Sequence, residues 1–104
     1  MDVKEVERNI EVAVNLLKAL SNEKRFQIAC VLFNGEKAVG ELEKIVGLSQ
    51  SALSQHLARL RRDEIVKTRR EAQTIYYSMA DGCVEKLLTC FCNILNDDQN
   101  SKDA

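Results

Sequence analysis

Apolar residues in the first half of the chain recur at helical spacing. From about Val3 to Leu20 they fall at positions 3, 6, 10, 13, 14, 16, 17 and 20, which predicts an amphipathic first helix. Ser21 or Asn22 can cap a second helix, about Glu23 to Phe33, whose Phe26, Ala29, Cys30 and Phe33 form one stripe. Ile28, Val31 and Leu32 carry apolar surface around most of that cylinder, so it should be the central, most buried helix. Asn34-Gly35 reads as a turn. A short third helix, about Val39 to Val46, ends at Gly47, a suitable left-handed cap, and Ser49 caps a fourth that reaches about Asp63. The period then changes. IVKTRRE and QTIYYSM read as two strands rich in β-branched and aromatic residues, joined near Glu71-Ala72. A last helix from about Asp81 to Leu95 carries Val84, Leu87, Leu88, Phe91 and Leu95.

The order is helix, helix, helix, helix, strand, strand, helix, and the third and fourth helices form a helix-turn-helix. The predicted fold is therefore mainly α with one small β-hairpin (α+β), a winged helix-turn-helix with an additional helix at each end. With no proline, linker or internal repeat, residues 1–96 should make one DNA-binding and dimerisation domain, and 97–104 a disordered acidic tail.

Composition narrows the classes. The chain has 104 residues, 45% of them apolar, enough for a core without covalent staples. No apolar run approaches a membrane span, and the opening MDVKEVERN is charged where a signal peptide turns hydrophobic, so a cytoplasmic protein without membrane attachment is expected. Cysteines 30, 83, 90 and 92 are too few and too uneven for a disulfide framework, which makes reduced thiols the default state. No cysteine has a histidine or Cys-x-x-Cys partner, which argues against a thiol enzyme, and no cofactor is implied. The formal net charge is only −1, but Arg59, Arg61, Arg62, Lys67, Arg69 and Arg70 concentrate positive charge between two acidic ends. Such a patch attracts phosphates locally.

At about 100° per residue, Leu53, Leu57 and Leu60 of the fourth helix share the core side. Gln50, Ser51, Ser54, Gln55, Ala58, Arg59 and Arg62 are left for the other side. Short hydroxyls and amides suit base edges in a major groove, and the arginines suit phosphates. His56 lies at the edge of the apolar side, either packed or bonded to a phosphate, and a lone histidine cannot build a histidine metal cluster. In the hairpin, Lys67, Arg69, Arg70 and Gln73 can meet phosphates or a minor groove, while Ile75 and Tyr77 alternate inward. A monomer of this size makes few contacts, so a dimer reading two half-sites about 34 Å apart is expected, with the first and last helices as its interface.

The segments ALSNEKRFQI and VGELEKIVGLSQSALSQHLARLRRDEIVKTRREAQTIYYS closely resemble the ArsR/SmtB family of bacterial winged-helix transcriptional repressors over about residues 12 to 95. Within it they resemble the sulfide- and persulfide-responsive BigR/SqrR/HlyU-like branch. The resemblance implies a homodimer on a pseudo-palindromic operator of double-stranded DNA, repressing by promoter occlusion and released by an inducer. The family's arsenic-type Cys-x-Cys has no counterpart in VGELEKIV, and its zinc-type site needs histidines that the last helix lacks.

In the thiol-sensing branch, a cysteine of the second helix pairs with one near the end of the last helix, as a disulfide or through bridging sulfur atoms. The inducer is a reactive sulfur species or an oxidant. Cys30 stands at the first of these positions. An ungapped match from REAQ onward puts the second at Asn96. Cys92 lies about 40° from it on the helical wheel, one turn earlier, and is favoured over Cys90 and Cys83 on the other flank. Three alternatives stand beside this reading: all four thiols as small hydrophobes, a metal- or metalloid-responsive repressor with Cys83, Cys90 and Cys92 as soft ligands, and a DNA-independent dimeric interaction protein. Glu64 occupies a position where the branch usually has glycine. If that position needs a positive φ, glutamate costs about 1 kcal/mol.

Overall fold

The structure, a computed structural model, describes residues 2–80 and 82–103, apart from the side chains of Cys83 and of 97–103. Its elements are α1 (Val3–Leu20), α2 (Glu23–Phe33), β1 (Lys37–Ala38), α3 (Val39–Val46), α4 (Gln50–Arg62), β2 (Val66–Glu71), β3 (Thr74–Met79) and α5 (Gly82–Asp103). The winged helix-turn-helix order is as expected, with one addition. β1 pairs antiparallel with β3, Lys37 opposite Tyr77 and Ala38 opposite Tyr76, giving a three-stranded sheet in the order β1-β3-β2. Two residues carry no period, so only the partner strand could define this element.

The core gathers where the helices cross. Ile28, Leu42, Leu53, Leu57, Leu60, Ile65 and Leu88 are fully buried, three of them from α4, one each from α2, α3 and α5, and Ile65 from the link between α4 and β2. α2 touches α1, α3, α4, α5 and β3, which makes it the central helix. Its buried side is Ile28, Ala29 and Leu32, whereas Phe26, Cys30 and Phe33 of the expected stripe are half-buried at the edge of the cluster. Polar side chains set the corners. Asn22, not Ser21, caps α2 by accepting from the N–H groups of Lys24 and Arg25. Arg25 donates back to the Ala19 and Lys18 carbonyls at the end of α1, and Lys24 Nζ donates to the Val46 carbonyl at the end of α3 at 3.0 Å. Arg25 and Lys24 thus give partners to the Ala19 and Val46 carbonyls at the helix ends.

α4 ends in a Schellman motif. The Ile65 N–H donates to the Leu60 carbonyl at 2.9 Å and the Glu64 N–H to the Arg61 carbonyl at 3.0 Å, with Ile65 packed beside Leu60 in the core. Glu64 therefore has a φ of 59°, and the cost anticipated from its sequence position applies. A second non-glycine residue in this region is Ala72, φ 56°, the first of two residues linking β2 to β3, which pair from Glu71 opposite Thr74 to Val66 opposite Met79.

Helical backbone in α5 continues to Asp103, beyond the end expected near Leu95 and through the stretch read as an acidic tail. No glycine or proline interrupts residues 83–104, so nothing in the local chemistry stops the helix. Asp81, expected to begin this helix, lies outside the described residues. Among the described residues no helix is long and apolar enough to cross a membrane.

Candidate nucleic-acid interface and thiol pair

Gly47, at φ 73°, ends α3 in the left-handed conformation and turns the chain into α4. Ser49 then accepts the Ala52 N–H at 3.3 Å and starts the helix. With Leu53, Leu57 and Leu60 buried, the opposite side faces solvent: Gln50, Ser51, Ser54, Gln55, Ala58 and Arg62 are all exposed. Small and neutral groups occupy the first half of that face and cations the last turn. His56 is half-buried, unlike the exposed residues of that side.

The arginines are not equivalent. Arg59 is half-buried and holds Asp63 at 2.7 Å, an i,i+4 pair that neutralises part of its charge inside the protein. Arg62 lies 3.7 Å from the same carboxylate and its side chain is 69% exposed, so it is the freer cation. Arg61 is absent from the outward face expected of this helix. It lines an open groove of about 450 Å³ with Ser54, Leu57, Ala58, Arg62 and Tyr77. Its spacing from Ser54 and Leu57, i, i+3 and i+7, is the signal that could have found it.

Tyr77 of β3 connects this groove to the wing. Side chains alternate along β2, so Thr68 and Arg70, opposite Tyr77 and Ile75, share the face on which Tyr77 meets α4. Lys67, Arg69 and Glu71 occupy the other face. There the Arg69 guanidinium donates to both carboxylate oxygens of Glu36, each at 2.8 Å, and to Glu71 at 2.9 Å, and lies 4.3 Å over the Tyr76 ring. Tyr76 is thus half-covered, not free. The Arg69 hydrogen bond holds the Glu36 carboxyl below its ordinary range, with Arg69 and Lys67 charges assisting, and both carboxylates push Arg69 further up. Lys67, Arg70 and Gln73 are exposed. Arg70 thus lies on the sheet face of Tyr77, which joins Ser54 and Arg62 in one groove, while Ser51 and Gln55 are exposed on α4 and Arg69 is set apart on the other sheet face.

Of the thiols, Cys30 is half-buried on α2 and Cys90 and Cys92 are exposed on α5. Burial pushes the Cys30 thiol above its ordinary value, and the charge that Cys92 would carry pushes it further. Among the described α5 thiols, Cys92 is the one whose charge acts on Cys30. One residue before it, Phe91 meets Phe26 edge to face with centroids 6.1 Å apart, and Phe26 lies one turn before Cys30. Cys90 opens to other grooves, beside Phe33 and Thr89 and beside Leu16 and Leu87. The side chain of Cys83 lies outside the described residues. Among the described residues no three His, Cys, Asp or Glu side chains converge as metal ligands.

Residues 22–68 match the family described as "Bacterial regulatory protein, arsR family". The transcriptional activator HlyU of Vibrio cholerae is 52% identical over 88 residues, 85% of this chain and 82% of that protein. Its reduced form has a solved structure that superimposes with a TM-score of 0.83, at 49% identity over 88% of this chain and 97% of that one. The biofilm growth-associated repressor of Xylella fastidiosa is 40% identical over 96 residues, 88% of this chain and 84% of that protein. A homodimeric winged helix-turn-helix DNA-binding domain from Mycobacterium bovis aligns with a TM-score of 0.82, at 25% identity over 97% of this chain and 93% of that one.

Proposed function

Given that the chain belongs to the arsR family of bacterial regulatory proteins, we propose that it acts in the cytoplasm as a homodimeric repressor on a pseudo-palindromic operator, released when Cys30 and Cys92 become covalently joined. DNA binding and transcription regulation come with the family. The dimer, the operator and the thiol control are our reading.

The single chain leaves too much surface open. A folded protein of 11.8 kDa ordinarily exposes about 5,900 Å², and this one exposes 7350 Å². The excess of roughly 1,400 Å² falls within what an obligate homodimer interface covers on each chain, about 1,000–2,500 Å². Apolar candidates for coverage are Val6, Ile10, Val14 and Leu17 on α1 with Phe91, Ile94 and Leu95 on α5, all exposed in the isolated chain. Two such chains related by a two-fold axis would present α4 to successive major grooves about 34 Å apart. Gln50, Ser51, Ser54 and Gln55 would then meet base edges, with His56, Arg59, Arg62, Lys67, Arg70 and Gln73 toward phosphates.

The thiol reading is supported by the packing of α2 against α5: Phe91, the neighbour of Cys92, meets Phe26, one turn before Cys30. Cys92 is exposed and meets a sulfur donor first. Its thiolate takes one sulfur atom from an inorganic polysulfide, which departs one sulfur shorter, and becomes a persulfide. The Cys30 thiolate then attacks Sγ of Cys92 and expels hydrosulfide, so two electrons from the thiol pair reduce the transferred sulfur. A longer chain on Cys92, attacked one sulfur further out, leaves a bridging sulfur. Joining α2 to α5 would shift the core helix against a dimerisation helix and alter the spacing of the two α4 helices.

The test pairs intact-mass spectrometry with binding to a duplex selected from a random pool by the reduced protein. With polysulfide, the wild type should become two hydrogens lighter, or heavier by whole bridging sulfurs, with the link mapped to Cys30 and Cys92, and should leave the duplex. Cys30→Ser and Cys92→Ser should each stay bound. Release of DNA from Cys30→Ser by polysulfide would refute the mechanism. No duplex binding at low salt would refute the DNA assignment itself.

A further inference from the structure

Arg69 looks, in sequence, like one more phosphate contact in a basic wing. Its surroundings point elsewhere. The side chain starts on β2, crosses the Tyr76 ring of β3 at 4.3 Å, and reaches Glu36, the residue immediately before β1. It therefore spans all three strands on one face of the sheet, in the order β2, β3, β1 in which they pair. Both guanidinium edges are taken. Nε and Nη2 donate to the two oxygens of Glu36, the planar two-bond arrangement that fits a carboxylate, and Nη1 donates to Glu71. Two carboxylates on one guanidinium occupy its donors and more than match its charge, so Arg69 has little left to offer a phosphate. Arg70, the next residue, faces the opposite way, toward the side that Tyr77 shares with α4.

We infer that Arg69 is a positioning residue: with Glu36 it forms a clasp that fixes the wing against the scaffold holding α2 and α3, and so sets where Arg70 stands relative to the recognition helix. Glu36 is well placed for this because its own backbone is anchored on both sides. The preceding turn is tied to α2 by the Gly35 N–H donating to the Leu32 carbonyl at 3.0 Å and by Asn34 Nδ2 donating to the Cys30 carbonyl at 3.1 Å. After it, Lys37 and Ala38 are paired to β3. Beyond the two residues that β1 pairs, the wing is a two-stranded ribbon, which twists and flexes readily, so its far end would otherwise sample more angles to α4. The clasp removes that freedom at an arginine whose charge is already matched.

Salt dependence separates positioning from contact, because removing one phosphate contact lowers the slope of log affinity against log salt by about one. Binding is read by fluorescence anisotropy on a duplex selected from a random pool by the wild-type protein, across a range of salt. Arg70→Ala should weaken binding and lower the slope by about one per subunit. Arg69→Gln and Glu36→Gln should each weaken binding about two- to fivefold per subunit with the slope unchanged, the scale of an exposed ion pair. The double exchange Glu36→Arg with Arg69→Glu should recover most of the loss, although it places a carboxylate on β2. The idea fails if Glu36→Gln binds more tightly, which would mean that freeing Arg69 creates a phosphate contact. It fails equally if Arg69→Gln lowers the slope as Arg70→Ala does, or if the exchange leaves binding at the level of the single variants. Because Arg69 and Glu36 are both at the surface, unfolding is not expected, and a melting curve on each variant checks it.

Discussion

Replacing Glu64 by glycine should make this protein more stable without touching its DNA-binding face. Glu64 occupies the left-handed position that follows the C-cap of α4, with φ 59°, held there by the Ile65-to-Leu60 and Glu64-to-Arg61 hydrogen bonds. The left-handed conformation costs a residue with a Cβ about 1–2 kcal/mol. Glycine avoids that cost but loses about 0.5–1 kcal/mol more than alanine in backbone freedom on folding. The difference, about 0.5–1 kcal/mol in favour of glycine, corresponds to a rise in Tm of roughly 2–8 °C for a domain of this size. A carboxylate beside the negative end of α4 adds a small electrostatic penalty that any neutral residue would also remove. Glu64→Ala is therefore the control, since it removes the charge and keeps the strain. Thermal unfolding of the three proteins by circular dichroism, at one protein concentration because the dimer makes Tm concentration-dependent, distinguishes the two terms. If Glu64→Gly is no more stable than Glu64→Ala, backbone strain at this position is not a real cost.

Three further outcomes can be checked. Leu57→Ala, at a position 1% exposed between α4 and the core, should cost about 2.7–5 kcal/mol in denaturant unfolding; a loss under about 1 kcal/mol would mean that the core collapses around the site. Ile10→Glu, on the open stripe of α1, removes about 2 kcal/mol of apolar burial per chain, counted twice in a two-fold dimer. Sedimentation should then show the dimer dissociation constant raised about a thousandfold, and an unchanged value would take α1 out of the interface. Because burial and Cys92 raise the Cys30 pKa, its thiolate is a minority species near neutral pH. Closure of the bridge, followed by stopped quenching and mass spectrometry, should accelerate about tenfold per pH unit across that range. A rate that does not change with pH would show that Cys30 is not the attacking thiol.

The recognition helix was legible because its chemistry is local. Ser49 caps it, three leucines at helical spacing orient it, and whatever lies opposite must face outward. The division of labour among its arginines was legible only in part. Asp63, four residues on, sets Arg59 apart by local spacing, but the groove that Arg61 and Arg62 share with Tyr77 depends on where the wing stands in space. Wing polarity is a similar case: alternation separates Arg69 from Arg70, but the partner that neutralises Arg69 is Glu36, thirty-three residues earlier.

By itself, then, the amino-acid pattern determined the five helices, the hairpin and the outward face of α4, while family resemblance pointed to the glycine-favouring position at Glu64 and to Cys30. The helices, the hairpin and the outward face depend on periodicity and capping that act within a few residues. Tertiary structure alone decided the two-residue strand β1, the clasp of Arg69 by Glu36, and the groove that joins Arg61 of α4 to Tyr77 of the wing. These depend on contacts between segments far apart in the chain, and nothing in the local spacing of residues encodes which distant side chain will arrive.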